Sequence, residues 1–183
     1  MIITVTGKPC SGKGTACKIL CEKYSFEYIC TGDMFRSLAK QHGFDNILEF
    51  QQNSDIIKID HMVDDSIKEI GEKRHNENIV IDSRLAWHFA PKSFKVFIDV
   101  DWDIAGERLL NANRASEQVS TITEAITKLK DRWEVENARY EKIYQTNNLN
   151  PDNYDLIISS NNKSPEEIAE EIYKNYQKVM QNA

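Results

Sequence analysis

The sequence lacks the features that would indicate a membrane protein or a partner made of nucleic acid. No apolar run approaches the roughly 18 residues of a membrane-spanning helix, and the opening MIITVTG has no basic segment before an apolar one. The formal net charge of −6 argues against a nucleic-acid polymer as partner, because such partners require clustered Lys and Arg. We therefore expect a cytoplasmic protein, favour a monomer, and allow for a single bound nucleotide, which needs only local positive charge.

Cysteine is scarce and confined to one end of the chain. The four cysteines, Cys10, Cys17, Cys21 and Cys30, all fall within the first 30 residues, which excludes a disulfide framework spanning the chain. Cys17 and Cys21 are four residues apart, so on a helix they share a face. They could touch a metal there or pack as small apolar side chains. We expect packing.

Apolar runs alternate with amphipathic segments along all 183 residues. Short β-branched or apolar runs predict strands at Ile2–Thr6, Phe26–Cys30, Asn78–Asp82, Phe94–Val100 and Tyr154–Ser159. Helical spacing predicts helices at Lys13–Tyr24, Asp33–His42, Ile47–Gln52, Asp55–Arg74, Asp103–Asn113, Thr121–Tyr144 and Ser164–Met180. The alternation favours one α/β domain over residues 1–183, with a parallel sheet covered by helices on both faces.

Capping signals mark the ends of several predicted helices. Gly43 follows the second helix in a position that favours a left-handed backbone. Ser120 or Thr121 is expected to cap the long helix, with Glu124 in its first turn. Ser164 is expected to cap the last helix, which opens with proline and two glutamates.

The stretch VTGKPCSGKGTACKIL, Val5–Leu20, is the most specific signal in the sequence. It fits G-x-x-x-x-G-K between a predicted strand and a predicted helix, the context of a phosphate-binding loop. Glycines let successive backbone amides face phosphate oxygens, and the helix N-terminus adds its positive end. Lys13 contributes a full charge, whereas Gly14 separates it from the hydroxyl of Thr15. We expect nucleotide phosphates to contact the whole loop: Gly7, Lys8, Pro9, Cys10, Ser11, Gly12, Lys13, Gly14 and Thr15.

Several segments together resemble one family. The form G-x-x-x-x-G-K-G-T is similar to the loop of nucleoside monophosphate kinases, and TGDMFR resembles the segment that opens their monophosphate site. IVIDSRLAWHFAP and the stretches DRWEVENARYEKIY, YDLIIS and SPEEIAEEIY resemble short-lid, archaeal-type cytidylate kinases. This resemblance, which extends from Ile3 to about Tyr176, implies a three-layer P-loop NTPase fold with a five-stranded parallel sheet. It also implies ATP and Mg²⁺ as cofactors and transfer of phosphate from ATP to CMP or dCMP.

The acceptor site is expected at the carboxyl edge of the sheet and in a small helical part over about residues 33–75. Asp82 ends an apolar strand, so it reaches the edge where ligands bind and could hold a Mg²⁺ water, bind a base amine or simply cap the strand. Arg84 could grip a phosphate bidentately or form a surface ion pair. By resemblance, Arg36 grips the acceptor phosphate, although Asp33 lies three residues before it and the two could pair. Asp33 is a further candidate for acceptor binding.

Arginines later in the chain are candidates for contact with the transferred phosphoryl group. These candidates are Arg108, Arg114, Arg132 and Arg139. Arg132 and Arg139 are two helical turns apart and share one side of the long helix, and by resemblance they contact the migrating group. Arg114 resembles an arginine of a short lid over about residues 114–120. Thr15 and Asp82 are the expected Mg²⁺ ligands, the latter partly through water, and no general base is required.

Departures from the family pattern leave the acceptor open. Ser83 replaces the usual glycine between Asp82 and Arg84, and residues 43–55 lack the large insert of typical bacterial cytidylate kinases. Three alternatives to a CMP kinase therefore stand: a kinase for AMP or UMP, a kinase for a small metabolite, and a nucleotide-binding protein without catalysis.

Overall fold

In the computed structural model, which describes residues 1–43, 56–112 and 119–181, one parallel sheet forms the centre of the protein. Within those ranges it has five strands in the order β2-β3-β1-β4-β5. Every neighbouring pair is parallel. The strands are β1 Ile3–Gly7, β2 Glu27–Cys30, β3 Ile79–Asp82, β4 Phe94–Asp99 and β5 Leu156–Ser159. The predicted α/β fold class is confirmed.

Helices connect these strands and cover the sheet. They are α1 Lys13–Tyr24, α2 Thr31–Gln41, α3 Ile56–Lys73, α4 Ala86–Phe89, α5 Trp102–Asn111, α6 Ile122–Tyr144 and α7 Pro165–Gln181, with a 3-10 turn at Pro151–Asn153. No helix in the described part of the chain is both long enough and apolar enough to cross a membrane.

The predicted elements agree with the structure to within two residues at each described end. The predicted helix Ile47–Gln52 lies outside the described residues. The short helix α4 and the 3-10 turn were not predicted, because four apolar residues and a proline turn lack helical periodicity. Gly43 has a φ of 85°, which confirms the left-handed position expected there.

The capping signals are confirmed for the two helices that carry them most clearly. Thr121 accepts a hydrogen bond from the Glu124 amide at 3.2 Å, and the Glu124 carboxylate accepts one from the Ser120 amide at 2.8 Å. At the last helix, the Glu167 amide donates to the Ser164 hydroxyl at 3.2 Å, and the Ser164 amide donates to the Glu167 carboxylate at 2.7 Å. Both ends are therefore capping boxes, which satisfy amides that a helix leaves unpaired.

Hydrophobic layers pack on both faces of the sheet. On one face, α1 and α7 cover β1 and β4 in a cluster that includes Cys17, Cys21 and Ile172. On the other, Ile67 of α3 lies in a cluster with strand β3 and with Ile2, just before β1. Cys17 and Cys21 are buried free thiols, which confirms the apolar packing expected of them.

The strand order brings the loops that follow β1 and β3 together. β1 is central and pairs with β3 on one side and β4 on the other. Asp82 at the end of β3 is in register with Val5 of β1 and Cys30 of β2. The carboxyl ends of parallel strands share one edge, and the crevice between neighbouring loops is where ligands bind in such sheets. The site is therefore expected above β1 and β3.

Helix α6 is held against α5 by one close approach. A Cβ added to Gly106 of α5 would lie 2.6 Å from Cγ1 of Ile126 on α6. The same helix α6 carries Arg132 and Arg139, so its packing on α5 contributes to the position of those arginines.

We expect Gly106→Ala to lower the free energy of unfolding by about 1–3 kcal/mol, because the methyl group overpacks the helix interface. In an Ile126→Ala background the same methyl group has room, so its cost should largely disappear. Denaturant unfolding of the two single variants and the double variant measures this coupling. An equal cost in both backgrounds would show that the contact does not limit the approach of the helices.

Candidate active site

The glycine-rich loop between β1 and α1 has backbone angles that few side chains tolerate. Gly12, which precedes the first residue of α1, has a φ of 81°, and Cys10 has a φ of 60°. A Cβ on Gly7 would overlap the carbonyl oxygen of Ile98 on β4. The loop therefore folds tightly over the end of β1 and brings the N-terminus of α1, with its unpaired amides, to face a cavity.

That cavity, which we call the loop cavity, has a volume of about 240 Å³. Its lining consists of the predicted phosphate-binding residues other than Gly7 together with three side chains from elsewhere: Lys8, Pro9, Cys10, Ser11, Gly12, Lys13, Gly14, Thr15, Arg84, Leu129 and Arg132. The Ser11 hydroxyl is buried and has no hydrogen-bond partner among the described residues. A buried hydroxyl without a partner is costly, so the loop is suited to a polar ligand.

A second cavity of about 280 Å³, the strand-end cavity, opens beyond the carboxyl ends of β2 and β3. Its lining comes from α2, α3, α6 and the strand ends: Lys13, Cys30, Thr31, Gly32, Phe35, Arg36, Val63, Asp64, Asp82, Ser83, Arg84, Leu85, Arg132, Glu136, Arg139, Tyr140 and Tyr144. Lys13, Arg84 and Arg132 line both cavities. The two cavities therefore meet at three cationic side chains.

Asp82 provides the carboxylate that pairs with Lys13 of the loop. Its side chain is buried and forms an ion pair with Lys13, and it accepts a hydrogen bond from the Tyr28 hydroxyl at 3.0 Å. Burial raises the pKa of Tyr28, so this hydroxyl keeps its proton and remains a donor. Burial and the nearby charge of Arg84 lower the pKa of Lys13 to about 8. An anion in the loop cavity would restore the preference of Lys13 for its charged form.

Arg84 joins the loop to helix α6. Its guanidinium donates to the carbonyl oxygen of Gly7, its Nε lies 2.9 Å from the Glu136 carboxylate, and it lies over the Trp133 ring at 5.4 Å. These contacts from three directions hold the planar guanidinium between the two cavities. Of the alternatives for Arg84, the structure thus shows a largely buried ion pair at the site, a position from which a phosphate can also be reached.

Glu136 is the acidic centre of a group of arginines. Arg132 donates to its carboxylate at 3.0 Å, and Arg84 pairs with the same carboxylate. Burial alone would raise the pKa of Glu136, but the charges of Arg84, Arg132 and Arg139 together hold that pKa below its ordinary value. The carboxylate therefore stays ionised, and it partly neutralises guanidiniums that would otherwise repel one another.

Other predicted site residues are distributed unevenly around the cavities. Arg36 lines the strand-end cavity, while Asp33 does not and instead pairs with Arg36, so the pairing foreseen as an alternative is present.

Arg108 lines neither cavity. It donates to the carbonyl of Cys10 at 3.1 Å and to the carbonyl of Ser160 at 2.7 Å, and these bonds connect the loop to the turn after β5. Arg114 lies outside the described residues, as does most of the predicted lid at 114–120.

Sequence reasoning missed several residues of this site, among them Tyr28, Asp64 and Glu136. Glu136 carried a usable signal, because it lies four residues after Arg132 and three before Arg139, on the same face of a helix. Tyr28 reaches Asp82 from a strand, and Asp64 lines the strand-end cavity from a helix. Nothing in their local sequence pattern separates them from ordinary surface residues.

We expect Glu136→Gln to lower the free energy of unfolding by about 2 kcal/mol, because the arginines around it lose their counter-charge. The wild-type pKa is depressed, so this stabilisation is present at neutral pH and is lost as the pH falls through and below the ordinary value of 4.5. Unfolding of both proteins across this pH range measures the difference.

Glu134→Gln is the matched control, since Glu134 is exposed on the same helix. Inorganic phosphate should stabilise the Glu136 variant more than the control, because it can supply the missing negative charge. A Glu136 variant as stable as the control at neutral pH would contradict the role assigned to this carboxylate.

Known proteins are similar to this chain in sequence and in fold. A family model described as AAA domain matches residues 6–126. The chain is 35% identical to the cytidylate kinase of Archaeoglobus fulgidus, over 95% of its own length and 93% of that protein. It is 32% identical over 96% of its length to the S-adenosylmethionine-dependent nucleotide dehydratase of Lacinutrix mariniflava, but it spans only 36% of that relative.

Among solved structures, shikimate kinase from Aquifex aeolicus has the same fold, with a TM-score of 0.63 over the full length of both chains at 20% sequence identity. On this evidence the chain belongs to the nucleoside monophosphate kinase family of P-loop kinases, among relatives that include the archaeal cytidylate kinases.

Proposed function

We propose that the chain transfers the γ-phosphoryl group of ATP to a nucleoside monophosphate, with CMP and dCMP as favoured acceptors. One observation carries the proposal: the loop cavity and the strand-end cavity meet at Lys13, Arg84 and Arg132. Phosphoryl transfer requires donor and acceptor in line, with positive charge where the phosphoryl group passes. The likeness to cytidylate kinase along nearly the whole of that protein supports the choice of a cytidine nucleotide.

The loop cavity is assigned to ATP. Its backbone amides and the α1 N-terminus suit phosphate oxygens, and the buried Ser11 hydroxyl is available to the same ligand. Lys13 lies at the junction of the cavities and would contact the β- and γ-phosphates. Arg108 lies outside the cavity and donates to the Cys10 carbonyl of the loop. Its role toward ATP is therefore to position the loop.

Mg²⁺ fits the oxygen donors near the junction. Thr15 lines the loop cavity, and Asp82 lies close to the loop, because a Cβ on Gly14 would be 3.3 Å from its Oδ2. The described residues hold no cluster of three or more His, Cys, Asp or Glu side chains. This agrees with an ion that takes one or two protein oxygens and completes its shell with phosphates and water. Bound there, Mg²⁺ would neutralise charge on the phosphates of ATP.

The strand-end cavity is assigned to the acceptor. Arg36 and Arg84 would hold the acceptor phosphate, and Arg132 and Arg139 would stabilise the migrating phosphoryl group. We retain Arg114 as a proposed lid arginine and Asp33 as a proposed acceptor contact. The acceptor phosphate is already an anion, so no general base is needed, and the residues act by positioning and charge.

Two alternatives draw on the comparisons. The shared fold with shikimate kinase leaves a kinase for a small metabolite open, yet the cluster of guanidiniums in the strand-end cavity favours an acceptor that already carries a phosphate. The dehydratase name belongs to a protein of which this chain spans 36%. A kinase activity accounts for nearly the whole chain, because the match to cytidylate kinase covers 95% of it.

The test is an assay of ADP release with CMP, dCMP, UMP, AMP and shikimate as acceptors. We expect turnover with the cytidine nucleotides, and we expect Lys13→Met to reduce kcat/KM by about 100-fold or more, because a charge at the transferring phosphates is lost. Lys18→Met is the matched control, since Lys18 is exposed on the same helix, and it should retain wild-type activity.

Three results would contradict the proposal. Turnover of shikimate alone would favour the metabolite kinase. ATP binding without turnover of any acceptor would favour a nucleotide-binding protein without catalysis. Equal activity of Lys13→Met and Lys18→Met would remove the loop from the mechanism.

A further inference from the structure

The strand-end cavity has an acidic group in addition to its arginines. Asp64 of α3 and Tyr144 of α6 both line it, and the Tyr144 hydroxyl donates to Oδ2 of Asp64. A carboxylate has about four lone-pair positions, so this bond is compatible with a further donor from a ligand. The hydroxyl fixes the direction in which the carboxylate faces.

Tyr144, the partner of Asp64, follows the arginines of α6 along the helix. Residues of α6 line the cavity in steps along one face, from Arg132 through Glu136 and Arg139 to Tyr144. At 1.5 Å per residue, Arg139 and Tyr144 are separated by about 7–8 Å along the helix axis. A carboxylate repels a phosphate, so the part of the acceptor that reaches Asp64 is the part farthest from its phosphate. In a nucleoside monophosphate that part is the base.

The walls near Asp64 suit a flat ring. Phe35 and Val63 line the same cavity, and Val63 packs against Phe35 in a small hydrophobic cluster. The Tyr144 ring is held edge-on by Phe89 at 5.3 Å and by His61 at 6.1 Å. Apolar walls with one fixed polar group are the usual construction of a site that recognises one edge of a ligand.

We propose that Asp64 accepts a hydrogen bond from the exocyclic amine of the acceptor base and thereby selects cytosine over uracil. The proposal rests on the proposed function, and it assigns a specificity residue to that site. An ionised carboxylate only accepts hydrogen bonds. Cytosine presents an amine donor at position 4, whereas uracil presents a carbonyl acceptor there, which the carboxylate would repel. Adenine also carries an amine, so the discrimination is between amino and keto bases.

Tyr144 is a positioning residue in this scheme. Its hydroxyl donates to Asp64, and its ring packs against Phe89 and His61. It can therefore orient Asp64 without contact with the base. Loss of that hydroxyl should weaken the preference for cytosine without reversing it, since the carboxylate remains but is less well oriented.

The experiment compares CMP with UMP in wild type, Asp64→Asn and Tyr144→Phe, by calorimetric binding and by turnover. An amide can donate to the keto oxygen of uracil, so we expect Asp64→Asn to shift the CMP-to-UMP ratio of affinity and of kcat/KM toward UMP by about tenfold or more. We expect a smaller shift in the same direction for Tyr144→Phe. Asp65→Asn is the matched control, because it removes the same charge from the next, exposed position of α3, and it should leave the ratio unchanged.

The outcomes separate this proposal from the proposed function. If wild type phosphorylates CMP but Asp64→Asn keeps the wild-type ratio, Asp64 is not the selector and the kinase assignment stands. If wild type binds CMP more tightly than UMP but turns over neither, and Asp64→Asn abolishes that preference, Asp64 is confirmed as the selecting residue and the proposed kinase activity is wrong. A wild type that binds neither nucleotide overturns both. A circular dichroism spectrum matching wild type shows that each variant is folded.

Discussion

Repulsion between like charges is the constraint on which this site depends. Lys13, Arg84 and Arg132 meet between two cavities, and at about 4 Å in an environment of effective dielectric about 20, two like charges repel by about 4 kcal/mol. Asp82 and Glu136 offset this repulsion by pairing with the lysine and the arginines, respectively. Their pairing keeps the cations in place when no phosphate is bound. Because two carboxylates pair with three cations, the site keeps positive charge that attracts an anion.

The sheet topology creates that meeting point from distant parts of the chain. β1 supplies the loop with Lys13, and its neighbour β3 ends at Asp82, two residues before Arg84. Helix α6 adds Arg132 and Glu136, and it packs closely on α5 at Gly106 and Ile126. Parallel pairing puts the strand ends at the same edge. The cations therefore converge because of strand order and helix packing, and no single segment contains the site.

How much the sequence could predict follows from how local each feature is. The phosphate-binding loop was predictable because its glycines, lysine and flanking elements lie within one short stretch, and the strands were predictable from apolar runs. Arg108 was a candidate for the phosphoryl group, but its donation to the Cys10 and Ser160 carbonyls depends on how α5 packs. Glu136 and Asp64 were missed for the same reason, since a polar residue on a helix shows its partner only after the helices pack.

The strand-end cavity separates two tasks along its length. The cations at one end would hold the phosphate of any nucleoside monophosphate, because every such acceptor presents the same group. In the proposed scheme the end with Asp64 distinguishes one base from another, because it differs in charge. The two ends are not independent, because a Cβ on Gly71 of α3 would lie 3.0 Å from Cβ of Ala90, just after α4 and close in sequence to Arg84. Close packing there links α3, which carries Asp64, to the segment after β3, which carries Arg84.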